Sequence, residues 1–98
     1  MLPANVETIG KGAFVGTHIT GTLVIPANVK MIGYLAFFNS TKLKGLDLSK
    51  AASLASIGAQ AFQGTAIRGP IVTPFKVPTY TTGGSEASFP PGVTIVKG

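Results

Sequence analysis

The strongest constraint on this chain is that it repeats itself. Ile9-Gly10-Lys11-Gly12-Ala13-Phe14-Val15-Gly16-Thr17 returns as Ile32-Gly33-Tyr34-Leu35-Ala36-Phe37-Phe38-Asn39-Ser40 and again as Ile57-Gly58-Ala59-Gln60-Ala61-Phe62-Gln63-Gly64-Thr65. A second block keeps the first of these intervals, because Leu2-Pro3-Ala4-Asn5-Val6 becomes Ile25-Pro26-Ala27-Asn28-Val29. From each Phe the end of the next apolar stretch lies at a constant distance along the chain, at Ile25, Leu48 and Thr73. The second interval, from Ile32 to Ile57, is slightly longer than the first, and its extra length therefore falls in a loop at 49–53. A unit this short has an apolar face that it cannot bury alone, so consecutive units must stack and bury it between them.

Each part of the unit has a local reading. Leu23-Val24-Ile25, Leu46-Asp47-Leu48 and Ile71-Val72-Thr73 alternate inward and outward as short strands do, and Pro26 and Pro74 stop two of them. The stacked strands are expected to form one narrow parallel sheet. Val6, Val29 and Leu54 shortly precede the repeated Ile and supply a second line of core contacts. Ile9, Ala13 and Phe14 stand at i, i+4 and i+5, which predicts a short helical turn. Gly16, Asn39 and Gly64 come next but one after the Phe, where a left-handed residue would end that turn. Gly21, Gly45 and Gly69 recur at even intervals and are expected to mark the bend into each strand. The fold class is thus an α/β solenoid of about three coils over residues 1–74, each a short strand plus a short helical turn. Residues 75–98 are expected to form an irregular C-terminal loop and closing cap. Phe14, Phe37 and Phe62 should touch along a common axis.

The pattern P-x-x-V-x-x-I-G-x-x-A-F-x-G-[ST] followed by L-x-I-P resembles the BspA-like leucine-rich repeat family over residues 2–74. The family often carries Cys after the Gly or Asn, where this chain has Thr17, Ser40 and Thr65. The resemblance implies a short leucine-rich-repeat-type stack, an extracellular or cell-surface setting, and protein-binding or adhesive recognition without catalysis.

Composition narrows the chemistry further. At 98 residues the chain fits one domain. Eight Lys and Arg against three acids give a net charge of +5, which suits an anionic partner such as nucleic acid, a phospholipid surface or an acidic polysaccharide. The basic residues are dispersed, so nucleic acid is not expected as a partner. There is no Cys for a disulfide or thiolate site, and no apolar run long enough for a membrane span, so membrane insertion is not expected. His18 is the single His, and Glu7, Asp47 and Glu86 fall in a bend, a strand and the terminal loop. No triad, carboxylate pair or metal cluster is expected from them, and no cofactor. The Gly10-Lys11-Gly12 spacing does not fit a dinucleotide fingerprint. Asn39-Ser40-Thr41 satisfies the glycosylation sequon, but the capping column already accounts for Asn39.

The candidate binding residues lie on the strands. Val24, Asp47 and Val72 should point outward, flanked by Thr20, Lys44 and Arg68, with Lys42 and His18 at the rim. Neighbouring coils would place Lys44 and Arg68 about 5 Å apart. Two functions follow. One is an interaction or adhesion module whose strand face meets a protein or glycan on another surface. The other is a structural subunit or tip segment of a larger fibre- or tail-like assembly that stacks through its open coil ends, with self-association through an uncapped N-terminal coil. An enzyme is not expected.

Overall fold

The computed structural model describes residues 5–82 and 84–98. The Leu2-Pro3-Ala4 part of the second repeated block, and with it the start of the expected uncapped coil, lies outside those residues. The described strands are short and run in chain order: β1 (Thr8–Ile9), β2 (Gly21–Val24), β3 (Met31–Ile32), β4 (Leu43–Asp47), β5 (Ser56–Ile57), β6 (Ile71–Thr73) and β7 (Ile95–Lys97). Their pairings are parallel, as they must be when each partner is one winding further along the chain.

β1, β3 and β5 form one ladder with Ile9, Ile32 and Ile57 in register. A parallel bridge from Ser56 to Thr79 extends it towards the C-terminal segment. The other strands differ from the single sheet expected of them. They make two separate pairs, β2 with β4 and β6 with β7. Pro70 stands at the entrance to β6 without an N–H to give, and the Ile71 N–H bonds to the Thr94 carbonyl rather than towards β4. The expected glycine column is likewise not a column. Gly21 pairs with Leu43 but Thr22 pairs with Gly45, so the ladder slips there and Lys44 is the extra, bulged residue.

The helical turn is absent: among the described residues there is no helix. Gly12, Leu35 and Gln60 have φ of 65°, 61° and 57°, a left-handed step that no right-handed helix admits. Each winding instead runs through a series of linked tight turns. In the central one, Ala36, Phe38 and Ser40 donate to the carbonyls of Gly33, Leu35 and Phe37. The N–H groups between them point the other way. Leu35, Phe37 and Asn39 donate to Ala59, Ala61 and Gln63 of the next winding, as Gly12, Phe14 and Gly16 donate to Tyr34, Ala36 and Phe38. Alternate donors thus close the turn and tie the stack, which a helix with all its donors directed along its own axis could not do. The second left-handed column is where the sequence places it, at Gly16, Asn39 and Gly64.

Inside the windings the Phe rings stack nearly parallel. Phe14 to Phe37 is 5.1 Å between centroids, Phe37 to Phe62 is 5.0 Å, and the series continues to Phe89 at 5.2 Å. Tyr80 then meets Phe89 edge-on. Around this ladder pack Leu23, Ile25, Val29, Leu43, Leu46, Leu48 and Leu54, all buried. The windings approach so closely that a Cβ on Gly33 would lie 2.8 Å from the Ile9 carbonyl oxygen, and one on Gly58 2.5 Å from the Tyr34 nitrogen.

Candidate interaction surfaces

The expected outward row is present on two separate sheets. Val24 stands in register with Asp47, and Val72 with Val96. Val24, Val72 and Val96 are 43%, 54% and 42% exposed, high for valines in strands whose other side is core. Thr20, Lys42, Lys44 and Arg68 are all exposed, as is His18. Because β4 and β6 share no ladder, no register holds Lys44 and Arg68 at the spacing of adjacent strands. The Lys44 side chain is set outward by the bulge that buries Leu43 beside it.

Asp47 is half-buried and occupied locally. Its Oδ1 accepts the Ser49 N–H at 2.8 Å, closing a turn at the end of β4. Hydrogen bonding from Ser49, by side chain and then by backbone, holds the Asp47 carboxyl below its ordinary range against an opposing effect of burial, and the Lys50 charge adds least to the lowering. Val96 is the member of this surface that sequence reading missed. Its signal is the recurrence of Ile71-Val72 as Ile95-Val96, at the same interval that separates Gly21 from Gly45.

A second apolar surface lies on the turn side of the first two windings and was not expected. Met31 is 47% exposed, Tyr34 38% and Val15 47%, and Leu35 and Phe38 are half-buried without packing against the core. The Lys11 Nζ lies 5.4 Å from the Tyr34 ring centroid. Near the C-terminus a cleft of about 540 Å³ is lined by Tyr80, Phe89, Pro90, Pro91 and Val93, with Gln63, Ser85 and Ala87. Among the described residues no three His, Asp or Glu side chains converge as metal ligands. No described helix is long and apolar enough to cross a membrane.

The repeated Phe and Ile each form a column through the stack. The family model described as BspA type Leucine rich repeat region (6 copies) matches residues 1–80. The chain belongs to the BspA-type leucine-rich repeat family. No curated protein and no solved structure matches it.

In this leucine-rich repeat protein the hydroxyl residues after the left-handed column hold the turns through hydrogen bonds. Ser40 Oγ donates to the Phe14 carbonyl at 3.2 Å and lies 3.2 Å from Thr17 Oγ1, and Thr65 Oγ1 donates to the Phe62 carbonyl at 2.7 Å. Ser40 is fully buried yet satisfied.

Proposed function

We propose that this BspA-type repeat is a non-catalytic interaction or adhesion module, which meets a protein or glycan on another surface through the strand face carrying Val24, Asp47, Val72 and Val96. The observation that supports it most directly is the row of exposed valines on strands whose opposite side is packed as core. Thr20, Lys42, Lys44 and Arg68 rim that row with hydroxyl and cationic groups, the mixture of apolar centre and polar border that interfaces use. The membership of the chain in a repeat family of interaction modules supports the same reading, and with it an extracellular or cell-surface setting.

A second reading, assembly through the end of the stack, is favoured by the first described winding. Ala13 is exposed where Ala36 and Ala61 are fully buried, and Phe14 is half-buried where Phe37 and Phe62 are fully buried. Among the described residues the carbonyls of Lys11, Ala13 and Val15 have no donor, although their counterparts in the next two windings all have one. This edge would accept N–H groups from a stacking neighbour.

Photo-crosslinking residues at Val72 and at Ala13 separate the two. Adducts from Val72 to a different macromolecule, lost on Val24→Ser with Val96→Ser, are expected for recognition. Adducts from Ala13 to further repeat chains, with none from Val72, would replace that reading by assembly.

A further inference from the structure

The four outward positions of each turn are filled differently from winding to winding. The first has Thr8, Lys11, Gly12 and Val15; the third has Ser56, Ala59, Gln60 and Gln63; the second alone is apolar throughout, with Met31, Tyr34, Leu35 and Phe38. In the third winding the two carboxamides are employed, since Gln60 and Gln63 both donate to the Ser85 carbonyl, at 2.9 and 3.0 Å. The apolar set of the second winding has no such employment: Leu35 and Phe38 do not join the core, and Met31 and Tyr34 are exposed. Leu35 is also held at φ 61°, a conformation that a bulky side chain adopts only at a cost. The fold thus keeps a leucine in left-handed backbone with its side chain outside the buried core. With Val15 in the adjoining winding these residues make one apolar surface on the turn side, away from the valine row.

Charge says what covers it. The chain carries +5 with three acids in all; Glu7 is paired with Lys30 at 3.3 Å, and the Asp47 carboxylate accepts from Ser49. Lys11 stands against Tyr34 at the edge of the surface with its ammonium over the ring. The surface carries the Tyr34 hydroxyl and the Lys11 ammonium, with the hydroxyl residues Thr8 and Ser56 on either side of Met31 in the ladder. Exposed apolar groups with a lysine ammonium at their edge, under a positive net charge, suit an anionic interface that takes up apolar side chains.

We propose that the turn face formed by Val15, Met31, Tyr34, Leu35 and Phe38, with Lys11 at its edge, seats on an anionic phospholipid surface, adsorbing without spanning it. This goes beyond recognition by the strand face, and the two surfaces can be occupied together.

Co-sedimentation with mixed phosphatidylcholine–phosphatidylglycerol vesicles, against phosphatidylcholine alone, tests it. The chain is expected to bind the mixed vesicles, and added sodium chloride to weaken binding without abolishing it. Met31→Ser with Tyr34→Ser should lower the partition by about tenfold. Leu35→Gly removes a docking side chain while suiting the left-handed backbone, so it should weaken vesicle binding with little loss of thermal stability. Val24→Ser with Val72→Ser should leave vesicle binding unchanged, whatever it does to strand-face recognition. Absence of binding to the anionic vesicles overturns the proposal, as does equal binding by the Met31/Tyr34 and Leu35 variants. A protein that occupies this face while vesicles do not would assign it to that other class of partner.

Discussion

At the scale of single residues, the same amino acid meets different demands in successive windings. Gly33 and Gly58 have backbone of the preceding winding within 2.5–2.9 Å of where a Cβ would sit, but Gly10 has nothing within 4 Å. Gly33→Ala and Gly58→Ala should therefore each destabilise by about 1–3 kcal/mol or more through overpacking, and Gly10→Ala by no more than about 0.5 kcal/mol. Thermal or urea unfolding of the three variants would show it; equal losses would mean that the glycines serve something other than close approach. Asp47 adds a dependence on pH. Its carboxyl is held below its ordinary 3.8 when folded, so its contribution is complete at neutral pH and is lost as pH falls through the lowered folded value. Asp47→Asn should lower stability slightly near neutral pH and erase part of the acid-dependent loss, as thermal melts across the acid range would report. The Gly16, Asn39 and Gly64 column was legible because Gly and Asn tolerate left-handed backbone. The Gly12, Leu35 and Gln60 column was not, since neither Leu nor Gln signals such a step, and only the direction of the inter-winding hydrogen bonds reveals the need for it.

Among the elements, the repeated Ile, Leu and Phe positions told where side chains would be buried but not which backbone would carry them. The spacing of Ile9, Ala13 and Phe14 suits a helical turn and suits a series of linked turns equally, because both put the same side chains on one side. The strands were legible from alternation at Leu23-Val24-Ile25 and Ile71-Val72-Thr73, yet the break between β4 and β6 was not, because it depends on which way the donor beside Pro70 turns. Phe89 is hidden for a simpler reason: it lies further beyond Phe62 than either repeat interval allows, after a Gly- and Ser-rich loop that obscures the period. Its ring nevertheless stacks at 5.2 Å on Phe62. The outward valines of the strand face were readable, but the apolar turn face was not, since its members became surface only once the helix gave way to turns. Phe37 has a ring on either side and no exposure, so Phe37→Ala should cost about 3–5 kcal/mol by cavity formation, whereas Lys44→Ala on the exposed bulge should stay within about 0.5 kcal/mol. Chemical denaturation of the two variants distinguishes inside from outside, and similar midpoints would contradict the assignment.

For the whole molecule, the consequence of stacking is that each winding is held by its neighbours and by little else, so stability should be distributed along one axis. The central winding donates through Leu35, Phe37 and Asn39 to the next and accepts through Tyr34, Ala36 and Phe38 from the one before. The first described winding has the donating half of that arrangement alone, with its Phe14 ring covered on one face by Phe37 and only half-buried. Counted over the described residues, opening it exposes one set of inter-winding bonds and one ring contact, and opening the centre breaks two sets and two contacts. Local unfolding should therefore begin at the first winding, and the Gly12, Phe14 and Gly16 amides should exchange with solvent faster than those of Leu35, Phe37 and Asn39, although the Phe14 and Phe37 amides make bonds of the same 2.7 Å length. Native-state hydrogen exchange followed residue by residue measures the difference directly. Identical protection along the axis would mean that the four stacked rings open as a single cooperative unit, and that neighbour-by-neighbour stabilisation does not govern this solenoid.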